Sequence, residues 1–291
     1  MSQRVFGGSP RINRRLIGVA RNATLWGLGL KKSPLTRRSN RKKTPLRLYY
    51  WNEKSNFGDM ISVDIISSLF GYESTWSPPE HCNIYAAGSV LGWASGYKSY
   101  VWGSGLMFEN DKVNENLIYC AVRGELTRVR LGKKWQRIPV GDPGLLANIV
   151  YPGSKVKTQK IGVAPHFMDQ DNQILKKMAK DDRFMIIDVT ASPAEVAEKI
   201  SSCKLVLSSS LHGLIFSDSF GVPNLHIELS DKVAGDGYKF HDYYSSIRKE
   251  YKNVDLDKIF NDEYLDEVKM EYRRVKRLRK IQRSLVKSFP Y

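Results

Sequence analysis

Short apolar runs alternate with amphipathic segments along the chain from residue 46 onward. The apolar runs are rich in β-branched and aromatic side chains, which is typical of buried strands, whereas apolar residues three and four positions apart indicate helices. Strands are predicted at 46–51, 83–87, 99–102, 117–122, 161–164, 184–189, 204–207 and 224–229. Helices are predicted at 60–70, 125–131, 172–179, 193–200, within 214–223, and continuously over 255–288.

Strands that alternate with helices favour an α/β fold, with parallel sheets covered by helices on both faces. The alternation occurs in two series, which predicts two doubly wound domains followed by C-terminal helices. Turn residues cluster at 151–155 and mark the join. The predicted parts are a basic, poorly ordered segment at 1–45, domains at 46–153 and 154–248, and a basic helical segment at 249–291.

The net charge of +16 is concentrated at the two ends of the chain. Residues 1–47 hold thirteen Lys and Arg and no acid, residues 270–291 have a net charge of +7, and the remainder is mildly acidic. A nucleic-acid-binding protein usually has its basic face on the folded domain, so no nucleic acid is expected as a partner. Basic ends favour contact with an anionic membrane surface. One alternative is that both ends are simply solvated. Another is that the protein is a membrane or nucleic-acid adaptor without enzymatic activity.

No apolar stretch approaches the roughly 20 residues that span a bilayer, and no secretory signal is evident. We therefore expect a cytoplasmic protein, peripheral on the inner face of the membrane, although the basic N-terminal end also fits an organelle transit peptide. Cys82, Cys120 and Cys203 are widely spaced and predict free thiols rather than a disulfide framework. No metal-binding spacing is present, so we expect no metal.

The segment Ser208-Ser209-Ser210-Leu211-His212-Gly213 lies where a predicted strand gives way to a predicted helix. In open α/β sheets this end of a strand faces the ligand crevice, and the start of a helix offers unpaired N–H groups to an anion. The hydroxyls add hydrogen-bond donors, and His212 can transfer a proton near neutral pH. A serine-rich helix cap beside a structural histidine is the alternative.

Other predicted strands also end in small or polar residues. These are Asn56-Phe57-Gly58-Asp59, Gly88-Ser89-Val90, Trp102-Gly103-Ser104-Gly105, Arg123-Gly124-Glu125-Leu126-Thr127 and Pro165-His166. Together they would line one crevice, in which Arg123 could form a bidentate contact with a carboxylate or phosphate. Each of these residues also has a structural alternative: Asp59 could be a helix cap, Arg123 a surface residue and His166 a loop residue. Asp142, in Gly141-Asp142-Pro143, is expected to cap the helix that follows it.

Taken in order over residues 46–248, these motifs resemble the polysaccharide pyruvyl transferase family, with Leu211-His212-Gly213 and Gly221-Val222-Pro223 completing the series. The resemblance implies two Rossmann-like halves facing a cleft, as in two-domain glycosyltransferases. It also implies transfer of a pyruvyl group from phosphoenolpyruvate to a sugar of an exopolysaccharide, cell-wall glycan or lipid-linked oligosaccharide, forming a cyclic ketal. Phosphoenolpyruvate is then a donor substrate, and no cofactor is expected. A glycosyltransferase that uses a nucleotide sugar is the alternative.

On this resemblance His212 is the candidate general acid or base. The candidate substrate-binding residues are Arg123, Ser208, Ser209, Ser210, Gly213, His166, Asn56, Gly58, Asp59, Ser89 and Ser104. One position departs from the family pattern, because many members have an arginine where this chain has Ser210. The charge that binds the donor must then come from another residue, and Arg123 is the expected substitute.

Overall fold

A computed structural model describes residues 44–252 and 254–291. Apart from its last two residues, the predicted N-terminal segment 1–45 lies outside the described residues. The strands are β1 (Leu46–Tyr49), β2 (Ser74–Trp76), β3 (Ile84–Tyr85), β4 (Tyr100–Trp102), β5 (Ile118–Ala121), β6 (Ile161–Ala164), β7 (Phe184–Ile186), β8 (Leu205–Ser208) and β9 (Asn224–His226). The α-helices are α1 (Phe57–Ile65), α2 (Glu125–Arg130), α3 (Ala147–Val150), α4 (Gln173–Met178), α5 (Pro193–Ser202), α6 (Leu211–Phe220), α7 (Tyr238–Ile247), α8 (Asp262–Glu271) and α9 (Leu278–Ser288).

The strands form two parallel sheets, which confirms the predicted α/β fold with parallel sheets. The first sheet has the order β2-β1-β3-β4-β5, and the second has the order β7-β6-β8-β9. Both central strands of the second sheet, β6 and β8, are buried along their whole length. Burial on both faces explains why their sequences are almost uninterruptedly apolar.

The helix ends follow from local sequence. Ser192 and Glu195 form a reciprocal capping box at the start of α5, with a proline as the first helical residue. The Asn56 side chain accepts a hydrogen bond from the Gly58 amide at the start of α1. Helix α6 ends at Gly221, whose φ of 68° is a left-handed conformation that glycine adopts without strain. These caps set where the polar residues that follow β1 and β8 lie.

The largest cluster of buried apolar residues contains side chains from both halves of the chain. Helix α9 packs against the first sheet: Leu285 is fully buried, and its carbonyl accepts a hydrogen bond of 2.8 Å from the Trp102 indole. Phe289, just after this helix, stacks on Phe70 with ring centroids 3.7 Å apart. The apolar side of α9 therefore faces the protein, and contact of its basic side with a membrane stays a prediction. Among the described residues, no helix has the length and apolar character needed to cross a bilayer.

Several predicted elements need correction. The continuous helix over 255–288 is wrong, because α8 and α9 are separated at residues 272–277 and Arg277 has a left-handed φ of 63°. The predicted helix at 60–70 begins at Phe57 and ends in a π-helical turn, and α6 begins at Leu211, so that His212 lies in its first turn. Strand β2 and helix α7 were not predicted. The helix expected after Asp142 is a 3-10 turn at Pro143–Leu146 that leads into α3, and the Asp142 side chain caps it as expected. The division into two Rossmann-like domains facing a cleft stays a prediction.

Candidate active site

The carboxyl ends of strands from both sheets face a cavity of about 310 Å³, called here the strand-end cavity. In open α/β sheets this edge is where ligands bind. Its lining from the first half of the chain is Trp51, Asn56, Asp59, Gly88, Ser89, Val90, Trp93 and Met107. Its lining from the second half is His166, Phe167, Met168, Ser210, Leu211, His212, Lys232, Ala234 and Lys239.

Six of the twelve predicted site residues line this cavity, and the other six do not. The lining residues are Asn56, Asp59, Ser89, His166, Ser210 and His212. The residues that are absent from the lining are Gly58, Ser104, Arg123, Ser208, Ser209 and Gly213. Several of the predicted segments therefore meet at one cavity, while the contacts of each residue depend on the fold.

His212 is held at the cavity by close packing and by the start of α6. A Cβ atom on Gly58 would lie 2.2 Å from the Nδ1 atom of His212, so only glycine fits beneath the ring. On the other side of the ring, its Nε2 atom lies 3.8 Å from Oδ1 of Asp142. Three buried side-chain polar atoms of the described residues have no hydrogen-bond partner, namely Ser74 Oγ, Asp142 Oδ2 and His212 Nε2. Two of these three atoms thus belong to one facing acid–imidazole pair.

Burial shifts the pKa values of this pair in opposite directions. Burial raises the pKa of Asp142 to about 6, although the Gly144 amide and the Arg123 charge oppose the shift. Burial, together with the charges of Arg123 and Lys239, lowers the pKa of His212 to about 3. Near neutral pH the carboxylate is therefore ionised and the imidazole neutral. An Nε2–H directed at Asp142 leaves the Nδ1 lone pair of His212 free to accept a proton.

Two further titratable groups line the cavity. Burial raises the pKa of Asp59 to about 7, with Lys239 opposing the shift, so this carboxyl is poised to exchange a proton near neutral pH. Burial and Lys239 lower the pKa of His166 to about 3, and its Nδ1 accepts a hydrogen bond from the Met168 amide. His166 is thus neutral, with its Nε2–H available to a ligand. Asp59 is the residue in this cavity whose protonation changes most readily at neutral pH.

Arg123 is completely buried behind the cavity wall. Its guanidinium donates to Asp242 Oδ2 at 2.9 Å, to the Leu106 carbonyl at 2.6 Å and to Ser89 Oγ at 2.5 Å. The side chain is 0% exposed, so its contacts are with the protein rather than with the cavity. Because Ser89 Oγ accepts from Arg123, the Ser89 hydroxyl hydrogen can point to a ligand.

The serines of the Ser208–Gly213 segment have different partners. Ser208 Oγ donates to the Ala164 carbonyl, and Ser209 Oγ donates to Asp169 while accepting from the His166 amide. These hydroxyls fix the turn rather than line the cavity, whereas Ser210 lines it. A Cβ on Gly213 would lie 2.3 Å from Ser208 Oγ, which explains the glycine after His212.

The Ser104 hydroxyl donates a hydrogen bond to the Gly88 carbonyl at 2.8 Å, so this side chain also contacts the protein backbone.

The three cysteines form no disulfide. Cys82 and Cys203 are buried, and Cys120 is half-buried.

The aromatic and cationic parts of the cavity are not predicted from the sequence. Trp51 stacks on Phe167 with ring centroids 5.1 Å apart and planes 19° apart, and Trp93 is 48% exposed. Lys239, in the first turn of α7, was missed because no element was predicted there. The signal was apolar residues at helical spacing after a glycine pair, at Phe240, Tyr243, Tyr244 and Ile247.

Comparison with known proteins supports an assignment to a family. The family model described as polysaccharide pyruvyl transferase matches residues 22–231. An uncharacterised protein of Acanthamoeba polyphaga mimivirus is 31% identical over 220 residues, which cover 70% of this chain and 76% of that protein.

This chain also matches a crystal structure of a functionally uncharacterised protein from Klebsiella pneumoniae. The match covers 72% of this chain and 93% of that protein's chain, with 12% sequence identity and a TM-score of 0.43. That structural likeness is too low to support an argument about fold or function. The family match extends over more than two thirds of the residues. The chain therefore belongs to the polysaccharide pyruvyl transferase family.

Proposed function

We propose that the chain transfers the pyruvyl group of phosphoenolpyruvate to two hydroxyls of a sugar in a polysaccharide or lipid-linked oligosaccharide, forming a cyclic ketal. Membership of the family implies pyruvyl transfer to a polysaccharide in general. The observation that supports the proposal best is the buried His212–Asp142 pair beside the strand-end cavity, in which His212 Nε2 and Asp142 Oδ2 lack hydrogen-bond partners. The proposal includes two Rossmann-like halves that face each other across this cavity.

The reaction needs one proton delivered and two removed. A proton adds to the methylene carbon of phosphoenolpyruvate, a sugar hydroxyl bonds to the neighbouring carbon and loses its proton, and phosphate leaves with the electrons of its C–O bond. A second hydroxyl then bonds to the same carbon, and its proton balances the charge of the released phosphate. The site must therefore supply an acid on one side of the donor and a base on the other.

Asp59 and His212 fit these two roles. Asp59, with its pKa raised to about 7, retains a proton to donate. His212 is neutral, and a carboxylate behind its Nε2 orients the ring and stabilises the charge that develops when Nδ1 takes a hydroxyl proton. The negative charge of a bound donor would oppose the lysine and arginine charges that depress the pKa of His212. Binding of the donor thereby makes His212 a better base.

We propose that the acceptor sugar lies against the aromatic side chains of the cavity. The stacked pair Trp51–Phe167 and the half-exposed Trp93 come from both halves of the chain. Their flat faces present apolar area to the C–H face of a sugar ring, while leaving its hydroxyls directed toward polar groups.

Replacing His212 by Gln should lower kcat for pyruvyl transfer by about 10²–10⁴-fold, because the side chain keeps polar atoms but loses the base. The measurement is the mass of the acceptor after incubation with phosphoenolpyruvate, together with phosphate release. His81→Gln is the matched control, because His81 is exposed in a loop away from the cavity. Undiminished transfer by a folded His212 variant would contradict the role. Wild-type protein that is stabilised by UDP or GDP and forms no ketal would contradict the function.

The rate should depend on pH through Asp59. Because Asp59 must be protonated to act as an acid and its pKa is about 7, kcat/KM should fall as the pH rises above about 7. Asp59→Asn should lose most activity, and its residual rate should lack this decline. A wild-type profile that is flat from pH 6 to 9 would exclude Asp59 as the acid.

Asp59→Asn should also stabilise the fold at alkaline pH. The pKa of Asp59 in the folded protein is above its ordinary value, so ionising it destabilises the fold increasingly as the pH rises from about 4 to about 7. Asp59→Asn should therefore raise the free energy of unfolding at pH 8 by about 2–4 kcal/mol, by the conversion of about 1.4 kcal/mol per pKa unit, and leave it unchanged at pH 4. Urea unfolding at pH 8 and at pH 4 measures the free energy of unfolding of the variant and of the wild type.

Replacing Trp93 by Ala should raise KM for the acceptor about three- to tenfold, because a stacking surface is lost. KM for phosphoenolpyruvate should stay within about twofold of wild type. Trp76→Ala is the matched control, since Trp76 is 43% exposed but lies on an edge strand outside the cavity. Equal acceptor KM values for the two variants would rule out the stacking surface.

A further inference from the structure

Lys239 is a buried cation at the strand-end cavity. It is the second residue of α7, its side chain lines the cavity, and the residue is only 5% exposed. Among the described residues, no side chain forms an ion pair or a hydrogen bond with its ammonium group. Its recorded contact is with the ring of Phe240, whose centroid lies 5.4 Å from Nζ. The ammonium group is not among the buried polar atoms that lack a partner, so it reaches the cavity, where a ligand can contact it.

The position of Lys239 is fixed by its helix. Three residues further along α7, Asp242 accepts hydrogen bonds from the Arg123 guanidinium and from the backbone amide and hydroxyl of Thr127. The Ser245 hydroxyl accepts from the Glu125 amide. These contacts attach α7 to the segment after β5, so Lys239 is presented to the cavity from a rigid element.

The charges around Lys239 leave it available to an anion. Burial lowers the pKa of Lys239 to about 8, with Arg123 adding to the shift and the acids Asp59 and Asp169 opposing it. The group is therefore mostly protonated at neutral pH. Asp59, the acid that lines the cavity with it, is itself about half protonated there. A bound anion would replace the missing partner and restore the full charge of the lysine.

The cavity offers few other cations. Lys232 and Lys239 are the lysines in its lining, no arginine is among the lining residues, and Lys232 is exposed. Arg123 is fully engaged with protein atoms behind the wall. The segment Ser208–Leu211 before His212 contains no cation, and the family match ends at residue 231, before Lys239.

We propose that Lys239, together with the hydroxyl of Ser89, binds an anionic group of the donor substrate, either its phosphate or its carboxylate. Lys239 supplies the ion pair and Ser89, polarised by Arg123, supplies a hydrogen bond. Helix α7 thereby replaces a cation that the segment before His212 lacks. This inference rests on the proposed function for the identity of the donor, but the anion site itself can be tested separately.

The test compares Lys239→Met, which keeps the length of the side chain without its charge, with Lys239→Arg, which keeps the charge. Isothermal titration of the full chain with phosphoenolpyruvate, inorganic phosphate and pyruvate measures the affinity of each variant. Lys239→Met should weaken phosphoenolpyruvate binding by about 10- to 100-fold, the loss expected for a charge-assisted hydrogen bond, and Lys239→Arg should recover most of it. Lys112→Met, at an exposed lysine outside the cavity, is the matched control and should bind within about threefold of wild type.

The two simple anions distinguish the two groups of the donor. Loss of phosphate binding in Lys239→Met, with pyruvate binding retained, assigns Lys239 to the phosphate, and the reverse assigns it to the carboxylate. Unchanged affinity of a folded Lys239→Met for all three ligands would overturn the proposal. Thermal unfolding of each variant confirms that the fold is retained, and KM for the acceptor should not change.

Failure of the inference and failure of the proposed function give different results. If wild-type protein forms the ketal and Lys239→Met has an unchanged KM for phosphoenolpyruvate, the function stands and the anion site is wrong. If Lys239 is needed to bind phosphate but no ketal forms from phosphoenolpyruvate, the anion site stands and the proposed function is wrong.

Discussion

The buried ion pair between Arg123 and Asp242 is the interaction on which the rest of the site depends. Both side chains are completely buried, and the nitrogen–oxygen distance is 2.9 Å. Removing one partner of such a pair leaves an uncompensated charge and typically costs about 3–5 kcal/mol. A Cβ on Gly124 would lie 1.8 Å from the Asp242 carbonyl oxygen, so the backbones also approach closely here. The pair attaches α7 to the end of β5 and holds Ser89 at the cavity wall.

Desolvation then determines the chemistry that this arrangement allows. Burial at the strand ends raises the pKa values of two acids, Asp59 and Asp142, and lowers those of the His212 imidazole and the Lys239 ammonium group. An acid that holds its proton near pH 7 and an imidazole that is neutral with a carboxylate behind it are the pair that the proposed reaction needs. Burying these groups costs stability, and groups with shifted pKa values cluster at functional sites.

The local parts of this account could be predicted from the sequence. The strand-to-helix transition at residues 208–213 was predicted because apolar runs and glycine or proline stops are local signals. The role of Arg123 could not be predicted, since its partner Asp242 is 119 residues away along the chain and only the fold brings them together.

Contacts between distant parts of the chain also explain the other differences between the predicted and the observed elements. Helix α7 follows a loop rich in glycine and polar residues, which obscures its start, although Phe240, Tyr243, Tyr244 and Ile247 are spaced as in a helix. The continuous helix predicted over 255–288 failed because tertiary packing of α9 on the first sheet overrides helical propensity at Arg277. Ser208 and Ser209 were predicted to bind substrate, yet their hydroxyls satisfy neighbouring protein groups, which a sequence pattern does not reveal.

The central claim is that the donor binds in the strand-end cavity between Lys239 and His212. A crystal structure of the full chain with phosphoenolpyruvate tests it most directly. The account predicts electron density for the donor in this cavity, with one anionic group within hydrogen-bond distance of the Lys239 ammonium and the enol carbons facing His212 and Asp59. Donor bound elsewhere, for example in the basic pocket beside Arg273 and Arg274, with the strand-end cavity empty, would contradict the account.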